Sequence, residues 1–125
     1  MENNKKVVFI SGPITGVENY WEAFEKVEEL LDNLGYIALT PSRLPHGMSN
    51  AQYTRICMAM IDSADAVVFL NDWVDSEGAR FEWDYCGYID KPAVELRDRD
   101  YLYGATYPPE VTQSWLKHSL EEVLK

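Results

Sequence analysis

Cysteine is scarce in this chain of 125 residues: only Cys57 and Cys86 are present, in no CxxC pair and no Cys/His cluster. That excludes a disulfide framework and argues against a structural zinc site. His46 and His118 stand alone, without a partner at metal-ligand spacing, so no metal is expected. Positive charge is also short, 11 Lys and Arg against 21 Asp and Glu, for a formal net charge of −10 at pH 7. Such a surface neither wraps a nucleic-acid polymer nor docks on an anionic membrane. One small nucleotide remains possible, because a few local N–H donors hold a phosphate whatever the global charge. The longest apolar runs fall far below the ~18–20 residues of a membrane span. The start, residues 1–6, leads into a short apolar run and not a signal h-region, so a cytoplasmic location is expected. Internal repeats, low-complexity tracts, GxGxxG and GxxxxGK[ST] are all missing.

What is present is an ordinary globular balance, 46% hydrophobic and 26% charged. A chain of this length is expected to form one domain over residues 1–125, burying roughly 65–70% of its unfolded surface. Its segments alternate between two periods. Residues 7–10 are a continuous apolar run that stops at Ser11-Gly12-Pro13, the pattern of a strand buried on both faces. Tyr20, Phe24, Val27, Leu31 and Leu34 then recur at helical spacing between charged residues. Asn19 with Glu22 has the form of a capping box, and Gly35 that of a helix stop.

Residues 36–39 predict a second strand and residues 40–49 a loop or lid. Tyr53, Ile56, Cys57, Met60 and Ile61 mark a second helix. Residues 66–70 are the most strand-like run, followed by a loop at 71–77 and a helix over about 78–89. A fourth strand at 93–96, an irregular stretch at 97–109 and a helix at 110–125 complete the order βαβαβαβα. The prediction is a Rossmann-like (flavodoxin-like) α/β three-layer sandwich with a mainly parallel sheet of order 2-1-3-4. Residues 7–10 and 66–70 should be innermost. Ligands of such sheets sit beyond the C-terminal strand ends.

Two segments leave those ends carrying chemistry. Ser11-Gly12-Pro13-Ile14-Thr15-Gly16 offers glycines, hydroxyls and backbone donors able to cradle a phosphate, or else it is an ordinary β-to-α turn. Glu82 shares the stripe of Ala79, Cys86 and Ile89 on the third helix. A carboxylate on a core-facing stripe is costly unless it is paired or opens on a pocket. The competing reading has Glu82 merely answering the helix dipole. Asp65 opens the third strand and belongs to the opposite end of the sheet as a turn or cap residue. Asp72 and Asp75 are at the ligand end, and Cys57 and Cys86 fit as small core residues. Trp73, Trp83, Trp115 and the late tyrosines exceed what a small core requires; some suit base stacking or a subunit interface, though scattered aromatics more often serve packing.

Phe9-Ile10-Ser11-Gly12-Pro13-Ile14-Thr15-Gly16 resembles the YxxGPxxG-type opening of the nucleoside 2-deoxyribosyltransferase-like superfamily. Ala64-Asp65-Ala66-Val67-Val68 is similar to its AD/CD-hydrophobic strand, and Ser76-Glu77-Gly78-Ala79-Arg80-Phe81-Glu82 to its SxGxxxE signature. The W-x-x-S-x-GA-x-x-E run from Trp73 to Glu82 resembles small phage and bacterial proteins of unassigned function. The 2′-deoxynucleoside 5′-phosphate N-hydrolases share the plan. The likeness covers residues 6–96, leaving 97–125 as a divergent C-terminal segment.

The resemblance implies cleavage or transfer at the N-glycosidic bond of a (deoxy)nucleoside 5′-monophosphate, with Glu82 as the nucleophile on C1′. It implies that Ser76 grips the 5′-phosphate, and that Ser11, Gly12, Pro13, Ile14, Thr15, Gly16, Trp73 and Gly78 bind substrate. No metal or organic cofactor is implied. The expected partners are a small nucleotide or nucleoside and a second copy of the chain, as a homodimer or larger homo-oligomer. Three positions depart from the hydrolase pattern: Phe9 replaces a tyrosine, Cys57 an aspartate and Thr15 an arginine. Phe9 and Cys57 favour the alternative of a nucleotide-binding module without turnover.

Overall fold

Among the described residues every strand neighbour is parallel. The structure, a computed structural model, describes residues 5–14, 16–96 and 109–125. Strands β1 (Val7–Ser11), β2 (Ile37–Leu39), β3 (Ala66–Phe69) and β4 (Ala93–Glu95) form a sheet of order β2-β1-β3-β4. Helices α1 (Trp21–Asn33), α2 (Asn50–Ser63), α3 (Glu77–Tyr88) and α4 (Pro109–Val123) flank it. The result is the expected Rossmann-like three-layer α/β arrangement, with β1 and β3 innermost and, but for Ser11, apolar for the expected reason: both of their faces are covered.

Alternation along β1 divides the core. Val8 and Ile10 point toward α1 and α4, joining Phe24, Val27, Leu31, Leu116 and Leu120. Phe9 points to the other side, joining Cys57 and Ile61 of α2 and Ala79 and Cys86 of α3. Each large side chain buried this way contributes about 1.5–3 kcal/mol. Ser11, two residues beyond Phe9, takes the same side by the strand's period of two. β1 runs one residue past the apolar stretch because Ser11 pairs with Phe69 and accepts the Leu70 N–H at 2.8 Å. At the opposite sheet end, the Asp65 carboxylate accepts the Val7 N–H at 2.7 Å, the structural role expected of it.

The ends of α1 differ from expectation at one side only. Asn19 is not a side-chain cap: it adopts φ 54°, Tyr20 is the N-cap, and Glu22 N–H reaches the Asn19 carbonyl at 3.1 Å. Asparagine tolerates that left-handed conformation, which serves a turn instead of a cap. Gly35 does stop the helix, at φ +89°, with the Tyr36 N–H on the Leu31 carbonyl and the Gly35 N–H on that of Asp32. That is a Schellman pair. The capping box lies on α2, where Ser49 Oγ accepts the Gln52 N–H and Gln52 Oε1 accepts the Ser49 N–H.

The expected loop at 40–49 contains a short 3-10 turn, Pro41–Arg43, held to α1 by the Arg43–Glu28 ion pair at 2.7 Å. A second such turn, Trp73–Asp75, leads into α3. Ile56 and Ile89, expected on buried stripes, are exposed, while Tyr53, Cys57, Ile61, Ala79, Glu82 and Cys86 are buried. The irregular stretch expected at 97–109 lies outside the described residues but for its last position, where α4 begins. Among the described residues, no helix is long and apolar enough to cross a membrane.

Candidate functional site

A cavity of about 470 Å³ opens beyond the C-terminal end of β1, between the β1 exit loop, α2 and the start of α3. Gly12 and Ile14 form one wall, Tyr53, Thr54 and Cys57 of α2 another, and residues 75–79 with Phe81 and Glu82 a third. The sheet topology dictates the place: parallel strands send their exit loops and the following helix N-termini to one edge.

Glu82 is the chemical centre. It is 8% exposed, on the α3 stripe that faces the sheet. Ser11 Oγ donates to Glu82 Oε1 at 2.6 Å, linking β1 to α3 across 71 positions of sequence. Cys57, four residues after Tyr53 on α2, lines the same cavity, and its thiol is the second neutral group that favours the Glu82 anion. The carboxylate is therefore paired, by two neutral donors. Burial raises its pKa from 4.5 to about 7, while the hydrogen bonds from Ser11 and Cys57 pull the other way. The Cys57 thiol is itself pushed well up, by burial first and then by Glu82, so it stays protonated as a donor. Cys86 is pushed up to about 11 by burial and by Glu82, against the pull of Lys91.

Ser76 is the N-cap of α3, its Oγ accepting the Ala79 N–H at 3.1 Å, and it lines the cavity beside Gly78. Capping uses the hydroxyl oxygen as an acceptor and leaves its O–H as a donor. Gly12 is required by close approach: a Cβ there would lie 2.5 Å from Leu70 Cδ1. Gly16, at φ +79°, is required by backbone conformation.

The expected site residues do not all meet. Glu82, Ser76, Gly78, Gly12 and Ile14 line the cavity, and Ser11 stands behind Glu82 as its donor. Pro13 and Gly16 are not among the lining residues, and Thr15 lies outside the described residues. Trp73 is elsewhere. Its ring stacks on Trp83 at 4.6 Å and its Nε1–H donates to Glu95 at 2.8 Å, beside Phe69 in the core. An indole with a satisfied N–H and covered faces is a packing residue here, so the motif tryptophan supports the turn before α3. Asp62 is also removed from the cavity, accepting the Tyr85 hydroxyl on the surface at 2.6 Å.

The cavity includes residues that the sequence did not single out: Pro41, Asn50, Thr54 and Phe81. Tyr53 lines it too, its hydroxyl donating to the Pro45 carbonyl at 2.7 Å. The legible signal was the i, i+4 pair Tyr53 and Cys57, which puts a phenol and a thiol on one helix face. Among the described residues no cluster of His, Cys, Asp and Glu could hold a metal ion.

No curated protein matches the chain. A family model described as a domain of unknown function, DUF4406, matches residues 6–94, a span containing all four strands to within one residue and every wall of the cavity. The chain belongs to the DUF4406 family.

Proposed function

We propose that the protein cleaves or transfers at the N-glycosidic bond of (deoxy)nucleoside 5′-monophosphates, and that it is a branch of the nucleoside 2-deoxyribosyltransferase-like superfamily. The observation that carries this reading is a buried, hydrogen-bonded carboxyl, Glu82, in the wall of a cavity at the C-terminal edge of a parallel sheet. In its ionised form the carboxylate attacks C1′ of the sugar. A C–O ester bond forms, the C1′–N bond breaks, and the base departs with the bond's electron pair and takes up a proton from water. Water, or a second base, then displaces Glu82 and restores the carboxylate.

The start of α3 suits the 5′-phosphate, with the Ser76 hydroxyl and the first-turn N–H groups as donors. Asp75 and Glu77 line the same wall, so a dianion is held by these neutral donors against local repulsion. A second copy of the chain is proposed to cover the exposed apolar side chains of α3, Phe81 and Tyr88.

The test is release of free base from a panel of 2′-deoxynucleosides and their 5′-monophosphates, followed by chromatography. Wild type should release base from a monophosphate, and Glu82→Ala should lose that release by several powers of ten. No base from any member of the panel overturns the catalytic reading. Phe9, wholly buried and without a hydroxyl, and Cys57, a thiol beside Glu82, favour a second reading. It is a nucleotide-binding module on the same scaffold, recognised by thermal stabilisation with a monophosphate and no release of base.

A further inference from the structure

We propose that Ser11 and Cys57 are a pair of positioning residues, a hydroxyl from β1 and a thiol from α2 that converge on one carboxyl and hold Glu82 at the cavity wall. This rests on the reading of Glu82 as a nucleophile only for its consequence in catalysis; the convergence stands on the Ser11–Glu82 hydrogen bond and on Cys57 sharing the cavity wall with Glu82. The strand period turns Ser11 to the side of Phe9, away from Val8 and Ile10, and so toward α3. Ser11 is completely buried and its Oγ lies 2.6 Å from Glu82 Oε1. Cys57 is 2% exposed and lines the same cavity as Glu82. A glutamate held by one strand and one neighbouring helix has its side-chain rotamers fixed from two directions, which a single donor does not achieve.

Both donors act on the charged form. A hydroxyl and a thiol bonded to a carboxylate favour ionisation, and here they oppose the burial that favours the neutral acid. Ser11 of β1, Cys57 of α2 and Cys86 of α3 itself act electrostatically on Glu82 or feel its charge, and Tyr53 of α2 lines the same cavity. Asp75 and Glu77 stand on the cavity wall, and no Lys, Arg or His lines the cavity among the described residues. With no cation there to stabilise the anion, the two neutral donors take on that task. Cys57 suits it because the thiol stays protonated and adds no second negative charge beside the nucleophile.

The experiment follows the Glu82 side-chain carboxyl by carbon NMR against pH, in wild type, Ser11→Ala, Cys57→Ala and Cys57→Ser, with Glu82→Gln assigning the signal. Each alanine variant should move the midpoint upward, by about one pH unit for Ser11→Ala and less for the weaker thiol donor. Cys57→Ser should return the midpoint to the wild-type value or below it, because a hydroxyl replaces the thiol. Midpoints unchanged in both alanine variants overturn the proposal, and so does a serine at 57 that behaves like alanine. Base release measured on the same proteins separates this inference from the catalytic reading. Shifted midpoints without base release from wild type sink the catalysis and leave the positioning pair standing. Base release with unmoved midpoints does the reverse.

Discussion

Replacing Glu82 by glutamine should change how stability depends on pH more than it changes stability at any one pH. Glutamine keeps the shape and an oxygen for the Ser11 hydroxyl but cannot ionise. In the folded protein the Glu82 carboxyl titrates near 7, whereas in the unfolded chain it returns to about 4.5. Between those values the native state binds the proton and the unfolded state does not. Stability therefore falls as pH rises through that window, and is level again above it. The gap corresponds to about 3 kcal/mol, enough to matter in a domain whose whole stability is about 5–15 kcal/mol.

The assay is urea unfolding of wild type and Glu82→Gln at half-unit steps from pH 4 to pH 8.5. Groups common to both proteins cancel in the difference, and the two thiols do not enter because both are raised further. Relative to wild type, the variant should gain about 3 kcal/mol on going from pH 4 to pH 8. That is a shift of roughly 1–2 M in the urea midpoint, for a slope near 2 kcal/mol per M. Parallel profiles would refute the reasoning, because Glu82 would then titrate alike in both states. If Glu82 also carries catalysis, the rate of base release should climb across the same interval, since only the anion attacks.

Two further outcomes can be checked. Gly12→Ala should lower stability by about 1–3 kcal/mol in thermal or urea unfolding, because the new methyl meets buried Leu70 at 2.5 Å; an unchanged midpoint would show that the exit loop yields freely. Sedimentation at micromolar concentration should give twice the chain mass of 14.4 kDa, with Phe81→Glu shifting it toward the single chain. A monomeric wild type refutes the pairing, and Tyr88, 89% exposed, would be a lone surface aromatic.

The sheet was legible because its two inner strands are buried on both faces and so write themselves as unbroken apolar runs at 7–10 and 66–70. Helix ends were less so. Gly35 announced itself, since only glycine takes its conformation without strain, but Asn19 can serve either as a cap or as a turn residue, and the chain used it as a turn residue. The same ambiguity attaches to Trp73. A tryptophan in a motif near a ligand edge stacks on a base or on a neighbour, and Trp83, ten residues on, could not be placed against it before α3 had an orientation.

The candidate site was half legible, and the division has a physical cause. Glu82 stood out because a carboxylate on a stripe with Ala79 and Cys86 needs a reason to be there. That anomaly exists within one helix and can be read from local spacing. Its partners cannot. Cys57 on α2 has the ordinary spacing of a core residue, and small size and burial are what cysteine shows when it merely packs. Ser11 invites assignment to a phosphate loop, because hydroxyl and glycine together suggest donors to a ligand. What reassigns it is register: β1 continues through residue 11 to pair with Phe69, so the side chain obeys the strand's alternation and is turned inward to Glu82. A one-residue difference in where β1 ends thus decides whether the Ser11 hydroxyl faces a loop or the buried acid. Strand ends are the least certain boundaries in a sequence, and this site is built on one.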